Sequence, residues 1–199
     1  MINSPPTLED YRDPRACITW KGSHRQIPYS VKFFGYDPDN DRSGTWCFYV
    51  YLHEAAWRPE NFNSFLAPRK IEDEVRLSNR GRKFWDYRKS DLVNLDWHGG
   101  ITYYKIHNEQ PHRAIEAGCD YAHSFDENHS YSLKFVEIEA QECVNSLFIL
   151  GFTPLVRCSW SGEYGEPKDM IPTTHGGFVL ASKREEVPWP EWFSEGVSS

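Results

Sequence analysis

Leu133, Val136, Ala140, Cys143 and Leu147 recur at alternating intervals of three and four residues, a spacing that an α-helix turns into one continuous apolar face. Lys134, Glu137, Gln141, Glu142 and Asn145 fall on the opposite side. The spacing predicts a helix over about 132–149. Gly151 suits its C-terminal cap, and Pro154 prevents any continuation. A shorter helix is expected over about 59–66: Pro59 fits the first helical position, Phe62, Phe65 and Leu66 share a face, and Pro68 closes it.

The other periodic segments read as strands. In Thr45 to His53, Trp46, Phe48, Val50 and Leu52 alternate with Cys47, Tyr49 and Tyr51, the period-two pattern of a sheet with both faces largely covered. Tyr29 to Tyr36 pairs with it through DPDNDRSG, a run of turn formers. Further extended pieces are expected at Trp97 to Ile106, His112 to Cys119, Leu155 to Trp160 and Gly177 to Ser182. The expected architecture is a single α+β domain over 1–199, mostly antiparallel sheet with one main amphipathic helix. Residues 1–15 and 186–199 read as irregular, the latter as an aromatic strap built on VPWPEWF.

Composition narrows the class. The apolar fraction of 39% and charged fraction of 26% are globular. The longest uninterrupted apolar run, Leu147 to Leu150, is far below the roughly 20 residues that span a membrane. Five cysteines without C-x-x-C spacing argue against a disulfide framework and a zinc ribbon. With no apolar run in MINSPPTLEDYRDPR, a cytoplasmic address is expected, in the host cell if the protein is viral. A net charge of −7 disfavours general nucleic-acid binding and suits a basic partner. Residues 76–89 invert that balance locally, with six basic groups against Asp86, which leaves −12 on the rest.

Chemistry concentrates first in DWHGGITYY and GCDYAHSFD. His98, Asp120, His123 and Asp126 supply two imidazoles and two carboxylates, which can serve as metal ligands or as a general acid and base, but their spacing is no recognised metal signature and polar residues holding loops together are the more ordinary outcome. Gly99 and Gly100 allow close approach of backbone N–H groups, and Thr102 and Tyr103 complete a candidate ligand-binding stretch. A second candidate is RGRKFWDYRK: Arg80, Arg82 and Lys83 can bind phosphates, and Trp85 offers a face for a base, unless the charges simply pair with the acidic remainder. Asp37, Asp39 and Asp41 open like a calcium loop, but Arg42 stands where glycine belongs and Phe48 where glutamate belongs, so a plain turn is expected. Cys143 sits on the apolar stripe and is expected to be inert; Cys119 has His123 close in sequence.

The stretch HGGITYY, then CDYAHSFD about twenty residues later, then an amphipathic helix, resembles an uncharacterised family of phage and prophage proteins. That family reads His-Gly-Gly-Leu/Ile-Thr-Tyr/Phe, Asp-Cys-Ala-His-x-x-Asp and a Glu-containing helix. His98 to Tyr103 match the first element; Asp120, Ala122, His123 and Asp126 match the second, and Tyr121 replaces the family's cysteine. The resemblance covers about residues 96–148 and implies a viral setting without a known activity. Together with the acidic charge, it leads to the expectation of an accessory protein that inhibits a host defence system. Such a protein would dock, anti-CRISPR fashion, on a basic nucleic-acid-binding effector, or sequester a signalling nucleotide through Arg80, Arg82, Lys83 and Trp85. The expected partner is therefore a basic host protein or a nucleotide, with no membrane and no sequence-specific DNA. The alternatives are a metal-dependent hydrolase using His98, Asp120, His123 and Asp126, and a virion or replication subunit. No particular cofactor follows from the sequence.

Overall fold

Strands β1 (Cys17–His24), β2 (Ile27–Phe34), β3 (Thr45–His53), β4 (Tyr103–Glu109) and β5 (His112–Asp120) form one antiparallel sheet in the order β1-β2-β3-β5-β4. The computed structural model describes residues 17–35, 44–68, 86–109, 112–123, 126 and 129–193. Helices α1 (Pro59–Phe65) and α2 (Leu133–Ile149) complete the main layers, so the α+β expectation holds. No helix of the described residues is long and apolar enough to cross a membrane.

The period-two pattern of β2 and β3 sets the core. Val31, Phe33, Phe48, Val50 and Leu52 lie on the face that α2 covers, joined there by Ile115 of β5, and all are essentially inaccessible. From α2 the predicted stripe of Val136, Ala140, Cys143 and Leu147 meets them, also fully buried. Ser132 caps the helix by accepting from Phe135 N–H at 3.3 Å. Gly151 ends it at φ +87, in the left-handed region that favours glycine. Gln141 and Asn145 do not face away as the periodicity suggested. Gln141 Nε2 donates to Tyr29 Oη at 3.1 Å and Asn145 Oδ1 lies 2.9 Å from His24 Nε2, so both tie the helix to the sheet.

The opposite sheet face is closed largely by its own side chains. Lys32 lies over the Tyr49 ring, Tyr103 meets that ring edge-on, and the ring covers Gly118. The buried Glu116 accepts from Tyr51 at 3.1 Å and Tyr103 at 3.4 Å and pairs with His107 at 2.8 Å, which offsets the cost of burying its charge.

Three expectations need correction. Trp97 to Ile106 is not one strand: Gly99 at φ +68 and Gly100 at φ +104 break extended backbone, and β4 begins only at Tyr103. The strands expected at 155–160 and 177–182 shrink to β6 (Val156–Arg157) and β9 (Phe178–Leu180). β6 pairs with β7 (Tyr164–Gly165) and β9 with β8 (Met170–Pro172), around a small separate core of Val156, Cys158, Met170, Val179 and Val187. β1, absent from the sequence reading, pairs with β2 along its whole length. In the tail, Trp192 stacks on Trp189 and packs with Phe193 on this small core. The calcium-like Asp37, Asp39 and Asp41, and Arg80, Arg82, Lys83 and Trp85, lie outside the described residues.

Candidate functional site

His98 is fixed by its neighbours before it is fixed by its partners. Trp97 and Ile101 on either side are buried; Trp97 Nε1 donates to Leu92 C=O at 2.6 Å and its ring stacks on Phe48. Gly99 then turns the chain at φ +68, and a Cβ there would stand 2.4 Å from the His123 ring. A glycine is needed at this position both for the backbone and for the ring it lets in.

The second half of the site follows β5. Tyr121 extends the strand by donating its N–H to Trp46 C=O at 2.9 Å. The chain then turns so that Asp126 N–H reaches His123 C=O, and His129 N–H reaches Asp126 C=O, both at 2.9 Å. Tyr131 follows, immediately before the cap of α2.

These loops converge on Asp126, whose side chain is only 4% exposed. Its Oδ1 accepts from Tyr131 Oη at 2.6 Å and lies 2.8 Å from His98 Nε2. Its Oδ2 accepts from His123 N–H at 2.9 Å and lies 3.2 Å from His123 Nδ1. Burial works against the charge, but the bonds from Tyr131, His98 and the His123 N–H outweigh it and hold the carboxyl at about 2. Burial, followed by the adjacent Asp126, pushes the Tyr131 phenol up to about 12.

The other nitrogen of His98 faces α2. Nδ1 lies 3.2 Å from Glu139 Oε2, and the same oxygen accepts from Tyr121 Oη. The Tyr121 ring stacks on His98 at 3.9 Å between centroids, and burial with Glu139 drives its phenol above the usual range. His98 is thus clamped between two carboxylates and two tyrosines, while its side chain stays 12% exposed, His123 24% and Glu139 27%. The chain matches no family model, no curated protein and no solved structure.

Function must therefore be argued from the site itself. A neutral imidazole donates one hydrogen bond and accepts one, yet both nitrogens of His98 face carboxylate oxygens. With Nδ1 facing Glu139, Nε2 is the ring atom that could ligate a cation together with Asp126, in place of its direct 2.8 Å contact with Oδ1. The ligand atoms of His98, His123 and Asp126 all lie within 4.8 Å of one another. Tetrahedral zinc with bonds of about 2.0–2.1 Å places ligand pairs about 3.4 Å apart, so the widest pair would close by at most about 1.4 Å.

Of the residues singled out in the sequence, His98, His123 and Asp126 come together and Asp120 does not. Asp120 lies on the opposite sheet face, where its Oδ1 accepts from Ala122 N–H at 3.2 Å. Gly99 belongs to the site as the bed of His123. No described residue lies within 4 Å of a Cβ at Gly100, and the exposed Thr102 donates its N–H to Gly118 C=O at 3.0 Å. Tyr103 points to Glu116 on the far face. Burial raises the thiols of Cys119 and Cys143 well above their ordinary value, which removes both as nucleophiles. Glu139 and Tyr131 were missed. An acid at the edge of an apolar stripe, three residues after Val136 and one before Ala140, was the available signal for Glu139.

Proposed function

We propose that His98, His123 and Asp126 hold a divalent transition metal and that the chain is a metal-dependent hydrolase. What carries this reading is Glu139 behind His98. A ligating histidine characteristically donates its other ring N–H to a carboxylate, which fixes the tautomer and aims the lone pair at the ion. Two imidazoles and one carboxylate with an open fourth position form the ligand set of hydrolytic zinc sites. A metal held by His98, His123 and Asp126 would supply Lewis-acid activation of water and of a carbonyl or phosphoryl substrate. Tyr131 anchors Asp126, Tyr121 anchors Glu139, and Gly99 seats His123, so the chain's own task is to hold three ligands in place.

The test is elemental analysis of protein purified without chelators, followed by zinc titration of the stripped protein. Stoichiometric metal is expected, lost in His98→Ala and His123→Ala, and bound about 10–100-fold more weakly by Glu139→Gln. Undiminished binding in His123→Ala would sink the assignment.

A second reading, inhibition of a host defence system by docking on a basic partner, is supported by the net charge of −7 and by the resemblance to phage proteins. It predicts salt-sensitive capture of a basic effector that survives His98→Ala. Failure to retain any basic nuclease complex at low salt would count against it.

A further inference from the structure

A cleft of about 210 Å³, with His53 in its lining, opens at the end of the sheet away from His98 and His123, between the β1–β2 turn and the β6–β7 pair. Ile27, Trp57 and Leu155 give it an apolar floor, and Gln26, Arg157 and Tyr164 stand at its walls. No described residue lining it carries a carboxylate, although the chain has 29 acidic against 22 basic residues.

The two arginines of this region differ. Arg58 is neutralised by Glu166 through a bidentate pair at 2.6 and 2.7 Å. Arg157 is exposed and enters no ion pair among the described residues. Its guanidinium runs beside Gly162, at φ +77, where a Cβ would stand 3.3 Å from Nη2. Arg157 is thus a lining residue without an ion-pair partner among the described residues, in a cleft where no described lining residue carries a carboxylate.

The backbone at the rim is an independent observation. Arg25 and Gln26 form the β1–β2 turn at φ +49 and +68, the left-handed conformation that such turns ordinarily give to Asn-Gly. Neither residue is glycine, so the turn is strained, and strain persists only where the surroundings over-determine it. Arg25 supplies that restraint by lying 4.6 Å over the Phe148 ring of α2. The turn so held brings Gln26 into the lining of the cleft, which Arg157 shares.

We propose that this cleft binds a small organic anion, a carboxylate carried on a single ring or short apolar body. The guanidinium of Arg157 takes the carboxylate through two N–H donors, the Gln26 amide adds a further donor, and the ring lies on Ile27, Trp57 and Leu155. The volume is below the roughly 300–1,000 Å³ of sites for drug-sized ligands, which selects a single ring.

Isothermal titration with benzoate tests this, with benzamide as the neutral analogue of the same shape and inorganic phosphate as the anion without a ring. Saturable benzoate binding is expected in the millimolar range or tighter, with benzamide and phosphate each about tenfold weaker or worse. Arg157→Met should weaken benzoate by about tenfold or more. Gln26→Gly relieves the turn, so it should weaken benzoate while the unfolding midpoint holds or rises. His123→Ala should leave benzoate binding unchanged, which separates the cleft from the proposed metal centre. Absence of saturable benzoate binding, equal affinity for benzamide or phosphate, loss of binding in His123→Ala, or undiminished binding in Arg157→Met overturns the proposal.

Discussion

Adjacent residues at the site behave differently because their surroundings differ. Gly99 and Gly100 both have positive φ, so an alanine at either carries a backbone cost of about 1–2 kcal/mol. Only at Gly99 would the new Cβ also strike the His123 ring; at Gly100 no described residue lies within 4 Å. Gly99→Ala is therefore expected to abolish metal binding and Gly100→Ala to preserve it, with both variants less stable in urea. Zinc titration of the two side by side checks this. Asp126 makes a second prediction. Its folded pKa of about 2 lies below the ordinary 3.8, so its ionised form stabilises the fold above about pH 4, and that stability is lost as pH falls towards 2. The contribution is on the order of 2 kcal/mol. Chelated protein should lose stability over that window, and Asp126→Asn, already less stable at neutral pH, should show a flatter profile. Identical acid profiles for the two proteins would contradict the assignment.

At the scale of elements, α2 links the core to the site. One side carries Val136, Ala140, Cys143 and Leu147 into the sheet, and its flank carries Glu139 to His98. Ser132→Ala removes the bond to Phe135 N–H and should cost about 1 kcal/mol, read from urea unfolding. Faster amide exchange is expected in the first turn of α2, with exchange from Ala140 to Leu147 unchanged. The stripe and the glycine cap of this helix were legible because both are local signals at a fixed period. β1 was not, because an edge strand buries only part of itself and CITWKGSH carries a weak apolar signal. The false strand at Trp97 failed for a specific reason: two glycines that permit extended backbone adopt left-handed φ here, and that choice follows from the His123 ring lying over Gly99.

At the scale of the molecule, the sheet with α2 holds one core and β6–β9 hold another. Val179 lies at the centre of the smaller one and is inaccessible. Val179→Ala should cost roughly 2 kcal/mol and raise amide exchange across 156–187 while β2 and β3 keep their protection. Uniform loss of protection would show instead that the two cores unfold together. The exposed Arg58–Glu166 pair spans the two regions, but solvent screening leaves it little weight, and Arg58→Ala should not move the unfolding midpoint measurably.

The sequence by itself determined the helix, the strands of strict alternation and the class of fold, because period and punctuation act within a few residues along the chain. Residue type also put His98, Asp120, His123 and Asp126 forward together, without separating Asp120 from the other three. Tertiary structure decided the rest. It turned Asp120 to the other sheet face and brought Glu139 and Tyr131 to the ligands. It also brought Arg157 and Gln26 into the lining of one cleft. Tyr131 reaches Asp126 from five residues away, but Glu139 with His98 and Arg157 with Gln26 join positions far apart in the chain, which the packing of α2 and the small β pairs against the sheet fixes.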